Sequence, residues 1–309
     1  MLDVRRMRVL AEVASRGSFS AAAEALNFTQ SAVSQHVAAL ERETGTQLVE
    51  RGPRGVRLTG AGRVLVEHTE AILCRLDSAE DDLAAIAGLR GGRLRLVCFQ
   101  SAGATLVPRA VAAFHERHPG VELGMLEAEP QEAGMLLKSG EVDLALVYDH
   151  ASTPGMLSPE LALTELLEDP YEMILPAKHP LAERRRLALA DFAADPWISS
   201  SPVNGCRRIF ETVCREAGYE PRVAFEADET LAAQALVAAG VGVTILPRLA
   251  LTTVHPGVVV RTLRNRPVRR IWAARLEGAY HSPASEAMVE HLRNVAGEFR
   301  ESPLELAAS

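Results

Sequence analysis

Gln30, Ser31, Ser34 and Gln35 lie within six consecutive positions of this chain. Short amides and hydroxyls both donate and accept hydrogen bonds, and such groups read base edges in the major groove of duplex DNA. Val33, Val37 and Leu40 interleave with them at i, i+4 and i+7, so a helix here hides one apolar face and shows a polar one. A little further on, Arg51, Arg54, Arg57 and Arg63 fall within thirteen positions that hold no acid. A cluster of that kind suits contact with phosphates and the minor groove. The plainer alternative is an amphipathic helix with a solvated face; the acid-free arginine run beside it counts against that.

To place these groups on DNA the chain needs a helix-turn-helix. Ser18 or Ser20 caps a short alanine-rich helix over 20–26, and Asn27-Phe28 breaks its period. Thr29 then caps a second helix over 29–43, which Gly45 ends. An earlier helix over 3–16 gathers Val4, Met7, Val9, Leu10 and Val13 on its apolar side. Residues 49–58 read as strand, Gly/Pro turn and strand, the pattern of a wing. Residues 1–58 are therefore expected to form a winged helix-turn-helix. Its DNA-binding candidates are Ser18, Ser20, Thr29, Arg51 and Arg54 for phosphates, with Gln30, Ser31, Ser34 and Gln35 at the bases.

The charge distribution agrees. The net charge of −7 over 309 residues excludes a molecule coated in nucleic acid, but residues 1–62 carry eight arginines against six acids, a net +2 that leaves −9 for the rest. At 48% hydrophobic and 24% charged the chain can bury sizeable cores. No apolar leader opens it and no run approaches eighteen apolar residues, so a cytoplasmic protein with no membrane span is expected. Cys74, Cys98, Cys206 and Cys214 form no C-x-x-C pair, which argues against zinc. No G-x-S-x-G, G-x-x-x-x-G-K-[ST] or G-x-G-x-x-G occurs, and nothing pairs a nucleophile with a base. No enzyme is expected, and no metal or cofactor.

From residue 59 the pattern changes. Leu65, Ile72, Ala79 and Ile86 recur every seven positions, and Thr69, Leu76 and Leu83 recur in the complementary phase. Two interleaved heptad series predict a coiled-coil linker and dimerisation helix over 59–90. From residue 91 helices alternate with continuous apolar strands, expected at 94–99, 121–127 and 142–148, which implies an α/β unit with a largely parallel sheet. The Ser/Thr/Pro/Gly-rich loop 149–159 reads as a first hinge. A second αβ unit follows, with strands at 171–175, 197–199, 223–226 and 243–246, then a return crossing at 264–267.

The motifs F-S-A-A-A-E-A-L, T-Q-S-A-V-S-Q-H-V-A-A-L-E, L-V-E-R and R-G-V-R-L-T-G-A-G resemble those of the LysR-type transcriptional regulators. L-K-S-G-E-V-D-L-A-L-V, P-A-K-H-P-L-A and V-A-A-G-V-G-V-T-I-L-P resemble that family's effector-binding domain. Ser31 stands where a proline is frequent, Gln35 where an arginine is, and Val49 where a phenylalanine is, so no operator sequence carries over. The resemblance implies an α/β protein: an N-terminal winged helix-turn-helix, a long linker helix, and a C-terminal two-lobe effector domain like the type 2 periplasmic binding proteins. That domain would span 91–305, with lobe I at 91–150 and 267–302 and lobe II at 160–264. The resemblance also implies a homodimer or homotetramer on double-stranded DNA, contact with RNA polymerase, and a small-molecule effector between the lobes.

In such a fold the carboxyl ends of the strands face the cleft, where helix N-termini favour anions. An anionic effector is thus expected, with Gln100, Ser101, Thr105, Glu127, Tyr148, Ser200, Ser201, Asn204 and Asp228 as binding candidates. Two alternatives stay open. The peroxide-sensing branch of the family uses two cysteines in the region of Cys206 and Cys214, so redox sensing is one. Eight residues apart on a helix, these two lie roughly 12 Å apart along its axis and would need it to unwind before bridging. The other is a cytoplasmic solute-binding protein with no DNA role.

Overall fold

The first three helices form where their caps say they should. In this computed structural model, which describes residues 1–52, 55–86 and 92–301, α1 (Val4–Arg16) is followed by α2 (Phe19–Ala25) and α3 (Gln30–Thr44). Asp3, Ser18 and Thr29 cap them in turn, Thr29 Oγ1 accepting from the amide of Ala32 at 3.2 Å. Gly45, at φ 67°, closes α3 in the left-handed conformation that glycine adopts without a Cβ penalty. Val33, Val37 and Leu40 of α3 pack with Met7, Leu10 and Val13 of α1 and Ala22 of α2 in one core. The antiparallel hairpin of β1 (Val49–Gly52) and β2 (Gly55–Leu58) forms the wing. Arg54 lies outside the described residues, and nothing is stated of the Arg51 side chain.

Thr59 caps α4 (Gly60–Ile86), its hydroxyl accepting from the amide of Gly62 at 3.0 Å. The two heptad series lie on this helix, and Ile72, Leu76 and Leu83 are exposed along it. The chain divides into two compact units after Ile86.

In the second unit, β3 (Arg93–Cys98), α5 (Gln100–Gly103), α6 (Leu106–Arg117), β4 (Glu122–Glu127), α7 (Pro130–Ser139) and β5 (Leu144–His150) build a parallel β4-β3-β5 sheet. Strand β5, flanked by β3 and by the later strand at 268–276, is buried on both faces, which explains the uninterrupted apolar run at 144–147. The sheet is mixed, because β12 (Val268–Leu276) pairs antiparallel with β5 on one side and β6 (Leu161–Pro176) on the other.

Strand β6 departs from the sequence reading. Residues 161–170 pair with β12 in lobe I, and 171–176 pair with β10 (Thr244–Pro247) and β11 (Val258–Leu263) in lobe II. One strand thus passes without interruption between the lobes. The crossing falls near Pro170-Tyr171 rather than at 149–159, and lobe I includes 161–170. Glu165, Glu168 and Asp169 break the apolar run, so the segment gives no strand signal in the sequence. Lobe II is completed by β7 (Arg186–Leu187), β8 (Pro196–Ser199), α8 (Gly205–Glu216), β9 (Arg222–Glu226) and α9 (Thr230–Ala238), while α10 (Pro283–Glu301) returns to pack on α6. No described helix is long and apolar enough to cross a membrane.

The crossing holds a buried ion pair. Arg269 and Asp169 face each other across β12 and β6, exposed 2% and 1% respectively. Arg269 Nε and Nη2 donate to Asp169 Oδ2 at 2.9 and 2.7 Å, and the other carboxylate oxygen accepts from the amide of Leu249 at 3.0 Å. Removing one partner of such a pair leaves an uncompensated buried charge. Asp169→Ala should therefore destabilise the second unit by about 3–5 kcal/mol in urea denaturation, and Asp169→Leu combined with Arg269→Met should recover most of that loss. In the first unit, a Cβ on Gly62 would meet the Leu48 carbonyl oxygen at 2.0 Å. Gly62→Ala should cost about 1–3 kcal/mol there, read as a lower melting temperature of the isolated helix-turn-helix transition.

Candidate functional site

Two places gather the candidate residues, one in each unit. In the first, α3 presents Gln30, Ser31 and Gln35 exposed and Ser34 half-buried, at its N-terminal end. The Thr29 and Ser31 hydroxyls lie 3.0 Å apart. Ser18 accepts from the amide of Ala21 at 3.5 Å, and Ser20 is exposed on α2. Asn27, the one described non-glycine residue with positive φ (55°), makes the turn between the helices. It leaves Phe28 48% exposed and stacked on His36, ring centroids 5.7 Å apart. These named side chains are all polar or aromatic and none is acidic. Arg57 is exposed on the wing.

In the second unit a cavity of about 60 Å³ lies between the lobes. From lobe I come Phe99, Gln100, Ser101, Glu129 and Tyr148; from lobe II come Tyr171, Ser199, Ser200, Asn204, Cys206 and Asp228; Arg269 comes from the crossing. The guanidinium of Arg269 lies between the rings of Phe99 and Tyr148, 4.8 and 4.9 Å from their centroids. Its Nη2 also donates to Ser101 Oγ at 2.6 Å. The aromatic faces and Asp169 together account for a cation held this deep.

The polar groups around it are closely linked. Tyr148 Oη donates to Glu129 Oε2 at 2.5 Å, and Tyr171 Oη lies 3.5 Å from Cys206 Sγ. Cys206 Sγ lies 3.4 Å from Tyr148 Oη and 3.9 Å from Arg269 Nη1. Burial raises both phenols well above their ordinary range, so they act as neutral donors. Burial also raises the Cys206 thiol, with Arg269 opposing, and it pushes Cys214 up to about 12. Both cysteines are on α8, Cys214 against Tyr219 Oη at 3.4 Å.

Most of the sequence candidates meet here. Gln100 spans the lobes, its Nε2 donating to Glu229 Oε1 at 2.5 Å and its Oε1 accepting from Thr230 Oγ1 at 3.4 Å. Ser201 donates through its amide and hydroxyl to Asp228 Oδ1, at 2.9 and 3.2 Å. Asn204 caps α8 by accepting from the amide of Cys206 at 2.9 Å. Glu127 reaches only the outer mouth. Thr105 does not line the cavity: its hydroxyl turns back to the Ser101 carbonyl at 2.6 Å, satisfying a helix end. Sequence reasoning missed Arg269 and Tyr171. Arg269 carried no local signal, since its partner is a hundred residues away.

Residues 4–63 match the bacterial regulatory helix-turn-helix family described as lysR, and residues 87–297 match the LysR substrate binding domain. A probable HTH-type transcriptional regulator LrrA of Synechococcus elongatus is 34% identical over 300 residues, covering 97% of this chain and 99% of that one. A probable hydrogen peroxide-inducible genes activator of Mycobacterium avium is 34% identical over 250 residues, covering 79% and 78%. The crystal structure of full-length CbnR with its target DNA superposes with a TM-score of 0.71 at 22% identity, covering 95% and 100%, which shows the shared fold. These relatives are regulators over their full length, and the reading as a solute-binding protein without a DNA role is set aside. The chain belongs to the LysR family: a DNA-binding transcriptional regulator whose second unit is an effector-binding domain.

Proposed function

We propose that this regulator reads its operator through the N-terminal face of α3 and responds to a small molecule held between the lobes of its second unit. Gln30, Ser31, Ser34 and Gln35 meet base edges, while Ser18, Ser20, Thr29 and the wing arginines Arg51, Arg54 and Arg57 hold phosphates. Two copies pair through α4, whose exposed Ile72, Leu76 and Leu83 find apolar cover in a second helix. One observation carries the sensing half of this reading. The interlobe cavity is lined by side chains from both lobes, and Gln100 bonds across it, so an occupant changes how the lobes are joined. A ligand shifts such an equilibrium only by binding one lobe arrangement better than the other.

A second reading has one observation in its favour: Cys206 borders the same cavity, beside Arg269 and two phenols. Peroxide chemistry needs a thiolate. The raised thiol of Cys206 works against it, and Cys214 lies two helical turns away on the same helix.

Footprinting on the DNA upstream of the chain's own gene, at two salt concentrations, tests the main reading. Protection of a dyad that weakens steeply with salt is expected. Gln30→Ala should lose about 1–3 kcal/mol of discrimination at one base step while binding to unrelated duplex stays unchanged; an unaltered footprint removes the reading-helix assignment. In the same assay peroxide should leave the footprint of the wild-type protein and of Cys206→Ser alike. A peroxide response that Cys206→Ser abolishes would establish the redox reading instead.

A further inference from the structure

The turn between α2 and α3 sets an aromatic ring beside the polar face of α3. Phe28 lies outside the core that α1, α2 and α3 share, whereas its near neighbour Leu26 packs against that core. Its backbone is nonetheless fixed. The Asn27 amide donates to the Glu24 carbonyl at 3.2 Å, and the Phe28 amide donates to the Ala23 carbonyl at 2.8 Å. The second bond spans six residues and closes a helix through a left-handed residue, here Asn27. An apolar residue just after such a turn ordinarily covers the helix that it ends. Here the ring reaches the next helix and stacks on His36, at 28° between the ring planes.

Single exposed apolar side chains are common and need no function. Three features set this one apart: a fixed backbone, an imidazole that holds the ring in place, and its position. Side chains four apart on a helix are neighbours, so Ser31 and Gln35 form one row along α3, and Ala32 and His36 form the next. Phe28, stacked on His36, therefore lies one row from side chains assigned to the bases. The major groove offers those bases two kinds of surface. Donors and acceptors line most of it, and hydroxyls and amides read them. Thymine adds a methyl group at C5, which no hydrogen bond can read and an apolar side chain can. Gln30, Ser31, Ser34 and Gln35 supply the first kind of reader and Phe28 supplies the second.

We infer that Phe28 determines operator specificity by packing its ring on the C5 methyl of one thymine in each half-site, with His36 behind it as a positioning residue. The inference rests on the reading of α3 as the helix that enters the major groove. It adds to that helix a selection for thymine that its polar side chains do not make, and it gives the exposed ring and its stacking partner a common role.

Deoxyuridine is the probe, because it keeps every hydrogen-bonding group of thymidine and lacks only the methyl. The footprinted dyad is rebuilt with each thymine replaced in turn, in both half-sites together, and the affinity of the full-length protein is measured by gel shift at one salt concentration. At one position the wild-type protein should lose about fourfold per half-site, the effect of a methyl no longer buried. Phe28→Ala should bind the thymine operator more weakly by the same factor and lose nothing further on uracil at that position. Phe28→Leu should keep most of the preference, and His36→Ala should keep less of it than wild type. Wild-type affinity that ignores uracil at every position overturns the inference. So does a methyl preference that Phe28→Ala retains in full, which belongs to another group such as Ala38, or an equal weakening on both operators, which makes the ring a support of the turn. Should Phe28→Ala fail to fold, His36→Ala decides, and an undiminished preference there overturns the inference. If no duplex shows sequence-specific protection, the reading of α3 falls and this inference with it; a footprint that survives while thymine and uracil bind alike removes this inference alone.

Discussion

A guanidinium cannot give up its proton inside a protein, so wherever it is buried the structure must be built around its charge. Arg269 occupies that position where the strands cross between lobes. Asp169 faces it from the adjacent strand, two aromatic rings flank it, and Ser101 accepts a further bond from its Nη2. Breaking the pair exposes a charge to a medium that cannot solvate it, and the pair is held from both sides, by Phe99, Tyr148 and Ser101 of lobe I and by the amide of Leu249 of lobe II. The pair is thus a fixed pivot. Movement is left to the groups beyond it: Gln100 against Glu229 and Thr230, and Tyr148 against Cys206.

That arrangement explains which parts of the molecule were legible in the sequence. The helix-turn-helix was readable because its signals are local. Ser18, Thr29 and Gly45 each act within four residues of their own position, and the valines of α3 repeat with the helical period. The cleft was readable only in part. Gln100, Ser101, Ser200, Ser201, Asn204 and Asp228 follow strand ends, and a strand end in an α/β sheet marks a cleft with or without knowledge of register. Asp169 lies in mid-strand and Arg269 at the second position of its strand, where a charged residue reads as an exposed one. Only the antiparallel register that sets them opposite each other turns them inward, and no spacing in the sequence encodes that register. The long strand β6 was hidden for the same reason: its acids at 165, 168 and 169 interrupt the apolar alternation that identifies a strand. Thr105 shows the converse error, a hydroxyl at a helix start that serves its own backbone.

The size of the cavity sets what its occupant must do. About 60 Å³ is the share of roughly two waters in liquid, and well below the several hundred Å³ of a typical metabolite pocket. A molecule with a carbon chain that seats in this inner cavity, rather than in the wider mouth of about 440 Å³ outside it, parts the lobes to do so. The bonds it breaks are those of Gln100 to Glu229 and Thr230 and the contact of Tyr148 with Cys206, on the order of 2–5 kcal/mol together. Binding offsets that cost only if the ligand favours the parted arrangement by about thirtyfold to several thousandfold. An occupant of the inner cavity would thus act on the bonds that join the lobes, which is how a ligand there shifts their arrangement.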